Sequence, residues 1–182
     1  LAPFADEFKG DDSAIAAQQA LNSLDEFKGN VKVLSNSQAD VDAFVNNDFG
    51  KFDVVYISTH GSEASLVTGE KLSGDLSKDQ VKAKLREYDE VGVHASKVPG
   101  SADWHIGLGK EFFNVNQGSN QNKNLIVLDG CSIYGGSEGL EFAQLLAGPN
   151  GAVVGWNKTV NADVSKRTME ALFDEMTDTG PP

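Results

Sequence analysis

The sequence Leu-Ile-Val-Leu-Asp-Gly-Cys at residues 125–131 is the stretch from which the fold and the candidate site are predicted. Its four apolar residues predict a buried strand, which ends in an acidic residue, a glycine and the only cysteine of the chain. A second stretch, Val-Val-Tyr-Ile-Ser-Thr-His-Gly at residues 54–61, ends in histidine and glycine. Chemistry in an open parallel sheet lies beyond the carboxyl ends of the strands. If these strands are neighbours, we expect His60 and Cys131 to lie at one edge of the sheet.

Predicted strands and helices alternate along most of the chain. We predict helices over residues 13–28, 37–47, 137–147 and 161–178, strands over 31–34, 52–58, 125–129 and 152–155, and a further helix after a capping box at 77–80. Residues 61–76 form a polar stretch, and residues 92–124 an irregular loop or hairpin insertion. The alternation predicts one domain, residues 1–182, with a mostly parallel central sheet and helices on both faces.

Composition excludes several classes of protein. The net charge is −12 and no run of lysine or arginine occurs, so a nucleic-acid partner is not expected. The acidity indicates either solubility or attraction of basic substrates, and both explanations stay open. Apolar runs of four or five residues are too short to span a membrane. One cysteine excludes an internal disulfide and a thiolate-rich zinc site.

Other compositional features leave more open. No cofactor is required, and the 27 acidic residues permit a calcium site that no EF-hand spacing supports. The chain begins with leucine rather than methionine, which suggests a processed product or an excised domain. The compartment is undecided, with an extracellular or cell-surface location slightly favoured over the cytoplasm.

The histidine and the cysteine form a chemically plausible pair. A thiol becomes an effective nucleophile when a histidine or a helix start stabilises its thiolate. His60 can do the first, and the helix predicted to begin near Ser137 can do the second. The main-chain N–H groups of Gly61 and Cys131 are candidate oxyanion donors. Taken singly, a cysteine is usually an inert small hydrophobe and a histidine after a strand a solvated turn residue. Only their joint placement favours a site.

These motifs resemble the caspase-like cysteine peptidases of clan CD, which include caspases, metacaspases, legumain, gingipain, clostripain and CHAT domains. The resemblance covers roughly residues 50–176 and looks closest to clostripain-like, metacaspase-like or CHAT-like proteins. It implies a three-layer caspase-like sandwich, with His60 as general acid and base, Cys131 as nucleophile, and Gly61 and Cys131 as oxyanion amides. The caspase signature Gln-Ala-Cys-X-Gly is missing, which argues against an aspartate-directed specificity.

Asp129 is the candidate substrate-binding residue. Clostripain-like peptidases and metacaspases carry an aspartate two residues before the catalytic cysteine, where it pairs with lysine or arginine of the substrate. The resemblance therefore implies cleavage after Arg or Lys. A carboxylate at the end of a buried strand is costly unless it is paired, and a substrate guanidinium would pair it well. In the alternative interpretation, Asp129 caps nearby amides or holds His60 in place.

The resemblance thus implies a thiol protease of peptide or protein substrates. Caspase-like enzymes are often activated by a cut between the histidine strand and the cysteine strand, where Lys97, Lys110 and Lys123 lie. Lys123 is favoured as a self-cleavage site because of its Asn-rich flank. Two alternatives stay open: an inactive binding or scaffold domain within a larger protein, and a module that cuts only its parent polypeptide. We predict that His94 and His105 are surface or loop residues.

Overall fold

Strands and helices alternate in the structure, as the sequence predicts, but a second sheet adds to the expected one. The computed structural model describes residues 1–8, 13–72, 74, 76–88, 91–117 and 124–177. Its strands are β1 (Val54–Ser58), β2 (Gly61–Ser62), β3 (Ser65–Leu72), β4 (Val93–Lys97), β5 (Trp104–Gly109), β6 (Leu125–Asp129) and β7 (Ala152–Gly155). Its helices are α1 (Ala5–Phe8), α2 (Ser13–Ser23), α3 (Val41–Asn46), α4 (Lys78–Leu85), α5 (Lys110–Asn116), α6 (Gly136–Ala147) and α7 (Ala162–Thr177).

The predicted parallel sheet consists of β1, β6 and β7, in the order β1-β6-β7. Val54 lies opposite Leu125, and Ser58 lies opposite Asp129. Successive side chains of a strand point to opposite faces, and in β6 Val127 and Leu128 therefore join different apolar clusters. Burial of both faces is typical of a parallel sheet. The prediction of a mixed α/β fold is confirmed at this level.

Helices cover the two faces of this sheet. On one face, α2 and α7 pack together and form a cluster with the sheet, which holds Ala17, Leu21, Tyr56, Val127, Met169 and Phe173. On the other face, Phe142 and Leu146 of α6 join the larger cluster around Ile57 and Leu128. Burying an aliphatic or aromatic side chain of this size contributes about 1.5–3 kcal/mol. The two clusters therefore fix the sheet between its helices.

The second sheet is antiparallel, in the order β2-β3-β5-β4, and corrects the prediction of a polar stretch over 61–76. Strand β3 is eight residues long, and its first five residues are buried. A Cβ on Gly69 would lie 1.8 Å from the main-chain oxygen of Asn36, so a distant segment packs directly on this strand. Thr68, next to this glycine, is fully buried although it is polar.

The strand predicted at 31–34 does not form, and the first residues of the chain lie beside β1. Residues 31–34 form no strand, although Ser35 pairs with Ala2 in a parallel bridge. The Leu1 nitrogen donates to the Tyr56 carbonyl at 2.7 Å, and the Ser58 N–H donates to the Leu1 carbonyl at 2.9 Å. Leu1 therefore lies against β1, whereas Ala2 pairs with the segment around Ser35.

Several finer predictions can be compared with the structure. The capping box forms: the Ser77 N–H donates to Gln80 Oε1 at 2.9 Å, and the Gln80 N–H donates to Ser77 Oγ at 3.4 Å. The irregular insertion does contain a hairpin, β4 and β5, and also the unpredicted helix α5. Leu140 is 60% exposed although it is apolar, because α6 buries Gly139, Phe142 and Leu146.

His105 is not the surface or loop residue that we predicted. It lies on β5, only 2% exposed, with its ring 5.1 Å from the ring of Phe4. Its Nδ1 atom has no hydrogen-bond partner within the described residues. Burial lowers the pKa of His105, and the positive charge of Lys71 lowers it further. The folded protein therefore holds this imidazole neutral.

This burial predicts a loss of stability in mild acid. Because the folded pKa of His105 lies below the unfolded value of about 6.5, unfolding takes up a proton as the pH falls below that value. We expect the urea midpoint to fall between about pH 7.5 and about pH 5.5. The midpoint should fall less in His105→Asn than in the wild type, and as much in His94→Asn as in the wild type. Equal falls in the wild type and in His105→Asn would contradict this explanation.

Candidate functional site

Strands β1 and β6 bring His60 and Cys131 to the same edge of the parallel sheet. Ser58 and Asp129 are the last paired residues of the two strands. The Thr59 N–H donates to the Asp129 carbonyl at 2.9 Å, which extends the ladder by one residue. The histidine and the cysteine each come two residues after a member of this last pair. The predicted adjacency of the two strands is confirmed.

The loops that carry the two residues are in direct contact through Ile133. Ile133 is fully buried, and a Cβ on Gly61 would lie 2.6 Å from its Cγ1 atom. A Cβ on Gly130 would likewise lie 2.6 Å from its Cδ1 atom. Both glycines are therefore required by packing, whatever they do in chemistry. The oxyanion roles of Gly61 and Cys131 stay predictions.

Cys131 is half-buried, and its backbone turns sharply afterwards. The thiol donates to the Val160 carbonyl, with Sγ 3.6 Å from that oxygen. Ser132 has a φ of +57°, a left-handed conformation that costs a non-glycine residue about 1 kcal/mol or more. Strain of this kind often occurs next to functional groups. Helix α6 then begins at Gly136, as predicted, without a side-chain cap at Gly135.

His60 lies beneath the N-terminal helix α1. Its Nε2 atom is 3.1 Å from Oε1 of Glu7, and its side chain is 21% exposed. The ring of Phe4 lies 4.6 Å from the imidazole in an edge-to-face arrangement, and the ring of Phe8 lies 5.2 Å away. None of these three neighbours was predicted from the sequence. Their spacing at positions 4, 7 and 8, which puts them on one face of a helix, was the only pattern that could have indicated them.

The two candidate residues have separate partners in this structure. Within the described part of the chain, no hydrogen bond joins His60 to Cys131. The imidazole contacts Glu7, whereas the thiol donates to the main chain of Val160. The structure thus places both residues beyond the same edge of the sheet, each with its own partner.

Asp129 points away from solvent into the layer between the sheet and helices α2 and α7. It is 7% exposed, and its Oδ2 atom accepts from Ser13 Oγ at 2.5 Å and from the Tyr56 hydroxyl at 2.8 Å. Its Oδ1 atom accepts from Trp156 Nε1 at 3.1 Å and from the Ser165 hydroxyl. The geometry favours a structural role, because Asp129 accepts hydrogen bonds from side chains of helices α2 and α7 and of strand β1 and none from His60. Its substrate-binding role stays a prediction.

A cavity lies away from this edge of the sheet. A space of about 390 Å³ opens between α2 and β1, lined by apolar side chains such as Leu21, Phe27 and Val54. Neither His60 nor Cys131 is among its lining residues. This cavity has room for an apolar group, but it is separate from the edge where the thiol and the imidazole lie.

Metal and membrane sites have no support in the described residues. No group of three or more histidine, cysteine, aspartate or glutamate side chains there can hold a metal ion, so the calcium expectation gains nothing. None of the described helices combines the length and the apolar character of a membrane span.

Comparison with known proteins adds no assignment. No protein-family model, curated protein or solved structure matches the chain significantly. The geometry of β1, β6 and the loops that follow them is therefore the only basis for assigning a function.

The structural role of Asp129 can be measured. In Asp129→Ala the hydroxyls of Ser13 and Ser165 lose their acceptor, whereas the Tyr56 hydroxyl can still donate to Ser13 and Trp156 Nε1 can still donate to Ser165. Each buried donor left unsatisfied costs about 1–3 kcal/mol, so we expect the free energy of unfolding in urea to fall by about 2 kcal/mol or more. Asp129→Asn should lose less, because the serine and tyrosine hydroxyls can rotate to accept from its amide.

A matched control is Asp174→Ala, an exposed carboxylate on α7, which should change the free energy of unfolding by less than about 0.5 kcal/mol. An equally small effect of Asp129→Ala would show that the four hydrogen bonds do not hold these elements together.

Proposed function

We propose that the chain is a cysteine peptidase in which His60 and Cys131 act as a dyad. The observation that carries this proposal is the register of β1 and β6, which puts an imidazole and a thiol equally far beyond the ends of two paired strands. The half-buried thiol and the left-handed Ser132 beside it add support. A hydrolase of this type needs a nucleophile and a base that the fold brings together.

The reaction follows from the chemistry of the two groups. His60 takes the thiol proton of Cys131, and the sulfur attacks the carbonyl carbon of the scissile peptide. The developing oxyanion accepts hydrogen bonds from the main-chain N–H groups of Gly61 and Cys131. The imidazolium then gives its proton to the leaving amine, which leaves a thioester. Water, deprotonated by His60, attacks the thioester and releases the acid and the free thiol.

The reaction requires that the thiol leave the Val160 carbonyl. A neutral S–H group is a weak donor, so this bond is easily broken. Rotation about the Cα–Cβ bond of Cys131 moves the sulfur without moving the main chain. Hydrogen bonds between catalytic groups are often long or absent before substrate binds. The separate partners of the two residues are therefore compatible with the proposal.

The preference for cleavage after Arg or Lys has weaker structural support. The net charge of −12 attracts basic substrates. Asp129 can bind a guanidinium only if its present donors move away, because both of its oxygens already accept hydrogen bonds. The proposed basic specificity thus depends more on the overall field than on this carboxylate.

A second candidate is a binding or scaffold domain with a relict dyad. The separate contacts of His60 with Glu7 and of Cys131 with Val160 favour it, since they leave the pair unjoined. The reactivity of the thiol distinguishes the two functions. Labelling by iodoacetamide near pH 7 should be faster than for free cysteine in a peptidase, and no faster in a relict site.

The peptidase proposal is tested with short fluorogenic peptides that carry basic, acidic or small residues before the scissile bond. We expect hydrolysis of the basic peptides, and a loss of at least about a hundredfold in kcat/KM in Cys131→Ala and in His60→Gln. His94→Gln is the control, because His94 lies on β4 and contacts Ser65 at 3.0 Å. Equal rates in the wild type and in Cys131→Ala would refute the dyad.

Self-processing is a further prediction, and two of its three candidate lysines lie in regular secondary structure. Lys97 lies in β4 with its ammonium 4.9 Å from the ring of Trp104, and Lys110 begins α5 and pairs with Glu141 at 2.7 Å. Peptide bonds in paired strands and helices are cut less readily than those in exposed loops. Lys123 lies outside the described residues and stays the favoured site.

Incubation of the wild type should therefore give two fragments on a denaturing gel, whereas Cys131→Ala stays intact. Lys123→Ala should also stay intact if this is the cleavage site. Fragments of equal amount from the wild type and from Cys131→Ala would point to a contaminating protease instead.

A further inference from the structure

The first eight residues form an arm that reaches His60, and the arm is fixed at its base. Leu1 is hydrogen-bonded to β1, Ala2 pairs with Ser35, and the Asp6 N–H donates to Asn36 Oδ1 at 3.0 Å. Phe4 is 5% exposed and packs in an apolar cluster with Val67 and Val98. The arm therefore has a defined position above the histidine.

The arm surrounds the imidazole on more than one side. The ring of Phe4 meets the imidazole at an interplanar angle of 74° and the ring of Phe8 meets it at 49°. Glu7 lies between these two residues in sequence and places Oε1 3.1 Å from Nε2. Two rings and one carboxylate thus restrict both the plane and the rotation of the His60 side chain.

The carboxylate also selects a tautomer. A neutral imidazole carries its proton on one nitrogen and a lone pair on the other, and an ionised carboxylate can only accept a hydrogen bond. Nε2 must therefore carry the proton that faces Glu7, which leaves the lone pair on Nδ1. A base acts through its lone pair, so Nδ1 is the atom that can take a proton from a thiol.

We propose that Glu7 is a positioning residue, which holds His60 in the Nε2–H tautomer and so offers Nδ1 to the thiol of Cys131. The inference rests on the proposed function and gives the dyad a third member. Nδ1 takes the thiol proton, and the resulting imidazolium keeps its Nε2–H bond to Glu7. Nδ1 then returns that proton to the leaving amine, and Glu7 itself is never protonated.

The same contacts would have the opposite consequence if the arm were a lid. An arm that blocks the histidine would inhibit the reaction, so weakening it would raise the rate. The anchoring of Leu1 on β1 and of Ala2 at Ser35 and the burial of Phe4 favour a permanent part of the site. Glu7 is 44% exposed in its side chain, so its replacement should disturb folding little.

The tautomer can be observed without any assay of activity. Nitrogen-15 NMR of the histidine rings distinguishes the two tautomers, and the spectrum of His60→Gln identifies the signals of His60 among the three histidines. We expect the Nε2–H form in the wild type at about pH 8, and a mixture of forms in Glu7→Ala. Glu7→Gln should keep the Nε2–H form, because the amide oxygen still accepts.

Glu63→Ala is the matched control, since Glu63 is an exposed carboxylate that follows His60 closely in sequence and lies against Gly136. It should leave the tautomer unchanged. An Nδ1–H form in the wild type, or an unchanged spectrum in Glu7→Ala, would overturn the inference.

Kinetics test the consequence for catalysis. In Glu7→Ala we expect kcat to fall about tenfold to a hundredfold with little change in KM, because Glu7 contacts the histidine rather than the substrate. Glu7→Gln should recover much of this loss. A higher kcat in Glu7→Ala would identify the arm as a lid and overturn the inference. If the wild type hydrolyses no peptide, the proposed function fails, while the NMR result still decides whether Glu7 holds the tautomer.

Discussion

The buried carboxylate of Asp129 is the interaction on which the arrangement of this edge depends. Its four donors come from α2, from β1, from the residue that follows β7 and from α7. A buried charge destabilises a fold by several kcal/mol unless hydrogen bonds compensate it, so each donor must stay in place. Because these bonds are directional, they fix both helices relative to the strand ends. The same strand ends carry His60 and Cys131.

The loops beyond this anchor combine tight packing with local strain. Ile133 fills the space between Gly61 and Gly130, and larger residues at either position would push the loops apart. Ser132 holds a left-handed conformation directly after the thiol. Strain persists only where the surrounding structure determines the backbone firmly, and the buried isoleucine and the Asp129 bonds do this here. Stability and the position of the thiol therefore depend on the same few contacts.

Periodicity predicted the parallel part of the fold well. Strands β1, β6 and β7 and helices α6 and α7 follow local apolar patterns, and the capping box at Ser77 is a local motif that forms as expected. Strand β3 was not predicted because it is buried by pairing with β5 and by packing against segments far away in sequence, as Asn36 packs on Gly69. For Asp129, the sequence gives the residue type and the strand end, but not the four donors that surround it.

At the candidate site, too, residues that follow a local sequence pattern could be predicted, whereas a residue placed by a distant contact could not. His60 and Cys131 were predicted as candidates because each follows an apolar run, and parallel pairing of those runs brings their ends together. Glu7 was missed because its contact with His60 spans 53 residues and depends on the pairing of Leu1 with β1. A short amphipathic turn at the start of a chain is a common pattern, so residues 4–8 alone point to no partner.

The contacts of His60 and Cys131 also indicate which of these side chains would move in the proposed dyad. His60 is held by one carboxylate and two aromatic rings, and the arm that supplies them is itself bonded to the sheet. Cys131 is held on its side chain by one S–H bond of 3.6 Å to Val160. A thiol is a weak donor, so this bond stabilises its rotamer much less than the contacts of the imidazole stabilise the ring. In the proposed dyad the sulfur would therefore move towards a fixed nitrogen, and the geometry of the base would be set before the nucleophile arrives.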